Sequence, residues 1–436
     1  MSSVSCGLSR HHFALMLSTS VLSMGAYGHL RSANAANECG VIAAGGTATC
    51  TPAGNNFTTG IDYDVNDATV VVQDGVVVST TANNTSAIAN GAVGANLGSL
   101  TTTTQGAVNL STTGDGSQGI YAGSLNGSVI ITTSENTTIT TTGDGSTGIT
   151  AASGGGNALT IIAPAAITTS GTGSNGISTL NTGGATIINV GTITATGGGA
   201  TTGIYAQSVG GTIDLTTSGV NTPNGYGIIA IASGVGSGTV NVTTTGAVSA
   251  LANGIIAGSQ FGDTIINAGA PVNVTAVGVA AIFGAGTTGS VTINSVGATA
   301  TGAGSIGIIA NVTTGNISIT DSGTVTSGGY GVYSLSTGGS TTINVSNVSA
   351  SNDYTGIYAI SGADLSITAS GLVTATGGSF SDGIYGVAIA GAATVQTADI
   401  TADDDGINVY GATGATVTTT GTITAGDDGI EVSTGA

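Results

Sequence analysis

A four-residue phrase, Gly119-Ile120-Tyr121-Ala122, keeps returning along this chain. It comes back as Gly148-Ile149-Thr150-Ala151, Gly203-Ile204-Tyr205-Ala206 and Gly356-Ile357-Tyr358-Ala359, with a weaker copy at Gly278-Val279-Ala280-Ala281, and it ends at Gly429-Ile430. The 310 residues from Gly119 to Gly429 hold twelve intervals of about 26 residues. A repeat of that length is the mark of a solenoid. Each interval carries two further short runs rich in β-branched residues, such as Val129-Ile130-Ile131 and Thr138-Ile139-Thr140, separated by Gly, Asn, Asp and Ser. Short β-branched runs between turn formers are strands. No interval holds ten residues with apolar spacing at i, i+3, i+4. The expected fold is all-β: a right-handed parallel β-helix with about 26 residues per three-strand coil.

The two-residue period of a strand assigns the faces. In Gly-Ile-x-Ala, the Ile and Ala positions point one way and x the other. The Ile position holds Ile or Val in this reading, so it faces the interior, with Ile120, Ile149, Ile177 and Ile204 in one column. The x positions Tyr333, Tyr358 and Tyr385 then stack outside as a ladder, extended by Ile229, Ile256 and Ile309. An exposed apolar strip of this kind marks a contact site, or else packs only to stabilise the rod. The preceding glycine suits a corner that needs positive φ or close backbone approach.

Residues 1–35 have the layout of a secretory signal. Arg10, His11 and His12 precede an apolar run from Phe13, and Ala33-Asn34-Ala35 forms a small-x-small site, with cleavage expected before Ala36. Removing this segment takes away both basic residues, all three histidines and all three methionines. All 21 acidic residues lie after Ala35 and remain without a single cation. Nucleic-acid binding rests on Lys and Arg and is excluded for such a chain; an anionic membrane surface would repel it. There is no run of about 18 apolar residues to span a bilayer as a helix.

Cys39 and Cys50 remain after cleavage, and an even pair in an exported protein points to a disulfide. Residues 36–66 are irregular and are expected to cap the solenoid, whose open edge would otherwise invite aggregation. Coils are expected over 67–436, with loops protruding at 154–156 and 218–225. The chain stops just after a Gly-Ile strand, which reads as a helix truncated at its C-terminal end.

The signal segment, the capped start and coils reading Gly-Ile-x-Ala with Gly-Asp-Gly linkers resemble the passenger region of bacterial autotransporters (type V secretion). The resemblance covers 36–436 and concerns architecture. It implies export to the periplasm, passage through an outer-membrane β-barrel that has no counterpart in this sequence, and display at the cell surface or secretion. The implied function is that of an adhesin or structural rod. Its partner would be a surface receptor, a glycan or another copy of the chain.

Little in 36–436 supports catalysis. Without His, Lys or Arg there is no Ser-His-Asp or Cys-His site. The alternative is a carbohydrate-active enzyme, since a two-carboxylate glycosidase needs only Asp or Glu. Asp403-Asp404-Asp405 and Asp427-Asp428 are its candidate residues, though Asp-Gly sequences are also ordinary turn chemistry. Asp382, Asp405 and Asp428 each precede the Gly of a Gly-Ile copy, with Asp404 and Asp427 beside them. Stacking would bring these carboxylates about 5 Å apart. They either splay into solvent or take a hard cation, Ca²⁺, which prefers oxygen ligands. No other cofactor is expected.

Overall fold

The computed structural model describes residues 38–91 and 98–435. The expected signal segment at 1–35 lies outside them. The described chain is a parallel β-helix of about 14 turns, with about 27 residues in each. A typical coil runs through Val129–Thr132, Thr138–Thr141 and Thr147–Ser153. The first two strands belong to a 25-stranded sheet and the third to a 15-stranded sheet. Every strand pairs in parallel with its counterpart in the next coil, as Ile139 does with Ile167 and Ile149 with Ile177. Among the described residues the only helical element is the three-residue turn Pro52–Gly54, and no helix is long and apolar enough to cross a membrane.

Each column is filled by one class of residue because each coil repeats the backbone path of the last. The isoleucine column runs from Ile61 through Ile88 and Ile120 to Ile407 and Ile430, with Val332 as its one valine. Its members are fully buried from Ile61 to Ile407, while Ile430 is 44% exposed. Burying one such side chain is worth roughly 1.5–3 kcal/mol. Facing columns complete the core, among them Ile139, Ile167 and Ile193 from the second strand of each coil.

The recurrent glycine is required by close approach, not by a left-handed φ. A Cβ on Gly148 would lie 2.3 Å from Ile167 Cγ2 and 2.6 Å from the Gly176 carbonyl oxygen. None of Gly119, Gly148 and Gly176 has positive φ. This constraint also corrects one copy of the repeat. The coil expected at Gly278-Val279-Ala280-Ala281 is in fact Ala281-Ile282-Phe283-Gly284, since Ile282 pairs with Ile255 and Ile308. Gly278, at φ +68, belongs to the turn before it. Alanine is tolerated at the corner because the facing column shrinks in step. Gly254 faces Val272 and Gly307 faces Val325, but the residue between those valines in register is Ala298.

A second correction concerns 218–225. The strand Ile213–Thr222 runs through most of it, passing the corner at Gly219 with φ +149, and only Pro223 and Asn224 turn outward. Residues 154–156 do form a turn. Within the segment read as a cap, Thr47–Cys50 pairs with Thr69–Val72, and Ile61–Tyr63 pairs with the strand that follows it in the 15-stranded sheet. Cys39 is bonded to Cys50 across a Cα–Cα distance of 4.9 Å, and the Tyr63 hydroxyl donates to the Gly40 carbonyl at 2.9 Å.

Ala281 and Ala298 share the volume that Gly and Val fill elsewhere. Ala298→Val should therefore overpack the corner and cost about 1–3 kcal/mol in chemical denaturation. Adding Ala281→Gly should recover at least half of that loss. Equal destabilisation in the single and double variants would show that the two positions do not share the corner.

Candidate functional site: an aromatic ladder beside an acidic corner

The outward face of the 15-stranded sheet carries the x column in register. Ile229 pairs with Ile256, Ile256 with Phe283, Phe283 with Ile309, Ile309 with Tyr333, Tyr333 with Tyr358, and Tyr358 with Tyr385. Phe283 is the rung hidden by the misplaced repeat. Tyr333 and Tyr358 stack with centroids 5.2 Å apart and planes 2° apart; Tyr358 and Tyr385 stack at 5.0 Å and 11°. Tyr330 packs against Tyr333, Tyr354 and Tyr358 at 5.6, 4.9 and 5.4 Å. The ladder is not a uniformly open strip. Ile256 is only 3% exposed, while Ile229, Ile309 and the three stacked tyrosines are half-buried. The sequence gives no sign of Tyr330 and Tyr354 as partners, because they stand outside the x column.

The ladder ends beside the acidic corner. Most carboxylates elsewhere serve the turns. The Asn83 side-chain oxygen accepts the Asp115 N–H, Asp115 accepts that of Asp144, and Asp144 accepts that of Thr172, all at 2.8–2.9 Å. Asp263, Asp364 and Asp399 each take a backbone N–H from the next coil in the same way. This is the side-chain-to-backbone bonding that makes Asx residues turn formers.

At the corner the coils bring acids together in excess. Of the five aspartates expected to gather, Asp404, Asp405 and Asp427 each offer one carboxylate oxygen, and these three oxygens lie within 4.8 Å of one another. Asp405 is already held at both oxygens, by the Asp428 N–H at 3.1 Å and the Asn408 amide at 3.3 Å. Asp428 thus contributes its backbone here. Burial pushes the Asp382 carboxyl up to about 6, helped by the charges of Asp404 and Asp405 and partly offset by a backbone N–H of Asp405. Burial likewise raises Asp404, with Asp405, Asp427 and Asp353 adding to it. Asp403 turns aside to accept the Gly377 N–H at 2.8 Å.

No protein-family model, curated protein or solved structure matches the chain.

Asp382 ionises less readily in the folded chain than in the unfolded one, where its ordinary value is 3.8. The folded chain therefore binds more protons, and stability falls as pH rises from 3.8 through about 6. Asp382→Asn should raise the melting temperature by roughly 1–3 °C at neutral pH and give no gain below pH ~4. The same gain at both pH values would mean that the substitution acts through packing instead of charge.

Proposed function

We propose that residues 36–436 form an exported bacterial surface rod, the passenger region of an autotransporter, which acts as an adhesin or structural element and carries no catalysis. Residues 1–35 direct it to the periplasm, an outer-membrane β-barrel passes it to the surface, and the ladder makes the contact. The observation that carries this reading is the unbroken outward column from Ile229 to Tyr385, which sets aromatic and aliphatic side chains on successive coils of a sheet that needs no such residues for its core. The use of the Asp403 and Asp405 carboxylates in hydrogen bonds to backbone N–H groups of the turns weighs against the glycosidase alternative.

Two experiments test the reading. Expressed in a Gram-negative host, the protein should be exported and begin at Ala36; a protein retained in the cytoplasm with residues 1–35 intact would contradict the export route. Tyr358→Ser should weaken attachment of the rod to cells by ~10-fold or more. Unchanged attachment together with a lower melting temperature would make the ladder purely structural.

Calcium belongs to the same proposal. Asp404, Asp405 and Asp427 supply oxygen ligands to a hard cation, water completing a sphere of six to eight. Calcium should raise the melting temperature of the purified rod. Asp405→Asn, which keeps an oxygen for the Asp428 N–H, should abolish the gain. A melting curve indifferent to calcium and to chelator would leave these aspartates as turn residues.

A further inference from the structure

Phe380 is 70% exposed, in the turn beside the tyrosine ladder. That turn is pinned from both sides. Its Phe380 N–H donates to Asp353 of the preceding coil at 2.8 Å, and its Gly377 N–H donates to Asp403 of the following coil at 2.8 Å. The Phe380 carbonyl accepts the Thr355 hydroxyl at 3.4 Å. Gly377 and Gly378 sit at φ +126 and +152, and Asp353 itself at φ +68. A Cβ on Gly378 would come within 2.7 Å of the Asp353 carboxylate. An apolar ring is thus held out into water by a turn whose glycines let the backbone take this path, and the ring gains little burial in return.

Its surroundings are aromatic and anionic. Tyr354, next to Asp353, packs edge-on against Tyr330, which in turn packs on the ladder rings Tyr333 and Tyr358. Asp404 adjoins Asp403 and feels the charge of Asp353 as well as of its own neighbours. Residues 36–436 contain no Lys, Arg or His to balance them.

We propose that this corner docks a cationic polypeptide segment, with Arg or Lys side chains over the Phe380 ring and against the Asp403 and Asp404 carboxylates, and with its apolar residues along the tyrosine ladder. This rests on the surface-rod reading above and gives its partner a chemical class. A cation is attracted to an open aromatic face, and the carboxylates accept its N–H groups in charge-assisted bonds. Charge complementarity selects among occupants. A second copy brings the same 21 carboxylates and no cation after Ala35, and an anionic glycan is repelled in the same way. A neutral sugar finds both faces of Tyr358 covered by Tyr333 and Tyr385, and on the open Phe380 ring it would leave the Asp403 and Asp404 carboxylates without a counter-charge.

The test uses the purified exported protein, held in chelator so that no calcium occupies Asp404, and a fluorescent synthetic peptide of alternating arginine and leucine, with binding read by anisotropy at two salt concentrations. The same peptide with glutamate for arginine and a neutral cello-oligosaccharide serve as competitors. The arginine peptide should bind, and neither competitor should displace it. Phe380→Ser should weaken binding ~10-fold with the melting temperature unchanged. Asp404→Asn should weaken it several-fold and flatten its salt dependence. Glu135→Gln, an exposed acid on a distant coil, should change nothing. The proposal is overturned if Glu135→Gln matters as much as Asp404→Asn, since the peptide would then sense net charge alone. It is also overturned if Phe380→Ser binds normally or if the oligosaccharide displaces the peptide. If the arginine peptide fails to bind while Tyr358→Ser still abolishes attachment to cells, the cationic partner is wrong and the contact ladder stands.

Discussion

Parallel, in-register stacking is the constraint on which everything else in this molecule depends. Each residue sits about 4.8 Å above its counterpart in the coil before, so whatever one coil places at a position, the next must be able to tolerate directly on top of it. For isoleucine that is favourable: Ile120, Ile149 and Ile177 bury one another and build a core without any long-range design. For tyrosine it yields stacked rings, as in Tyr333, Tyr358 and Tyr385. The glycine before each isoleucine follows from the same geometry, because the next carbonyl lies where a Cβ would go.

The same rule makes carboxylates costly, and the chain handles them in two ways. Along most of the helix they are spent on backbone N–H groups of the next coil, as in the Asn83, Asp115, Asp144 series, where each oxygen faces a donor and not another anion. At the corner formed by Asp382, Asp404, Asp405 and Asp427 there are more carboxylates than donors. Charge repulsion between groups this close is roughly 1 kcal/mol in water and more where water is excluded. A region after Ala35 with no Lys, Arg or His of its own relieves that repulsion by splaying the groups into solvent, by taking up protons or by binding positive charge from outside. The aromatic ladder ends at this corner, so the two unusual features of the surface coincide.

The parts of the fold legible in the sequence were those that a column repeats. The isoleucine core, the outward tyrosines and the stacking of Asp405 beneath the Asp428 turn all follow from a period and a two-residue alternation. The illegible parts are those where one coil compensates for another. The facing of Ala281 and Ala298 hides a repeat, because no rule local to Gly278-Val279 shows that the valine expected about twenty residues further on, in the facing column, has been replaced by alanine. Gly219 likewise carries a strand through a corner where its glycine and the nearby proline read as a loop. Phe380 is invisible for a different reason: its exposure comes from a turn held by Asp353 and Asp403, two side chains on neighbouring coils, and nothing in Ser379-Phe380-Ser381 announces it. The burial of Ile256 shows the same limit, since alternation gives a side chain's direction but not what its neighbours cover.

The register is the premise of the core, the ladder and the acidic corner alike, and cysteine pairing tests it most directly. Ser349 and Thr374 are register partners on the outer face of the 25-stranded sheet, and Ala375 points the opposite way, into the buried side. Cys39 and Cys50, already bonded to each other, are the only other cysteines after Ala35. Under mild oxidation Ser349→Cys with Thr374→Cys should form a second disulfide, seen by mass after proteolysis, because adjacent rungs match the Cα separation of ~4.4–6.8 Å that a disulfide needs. Ser349→Cys with Ala375→Cys should not. A bond in the second pair and none in the first would shift the register of this sheet by one residue, turn the buried column of Val348 and Val373 outward and contradict the structure described above.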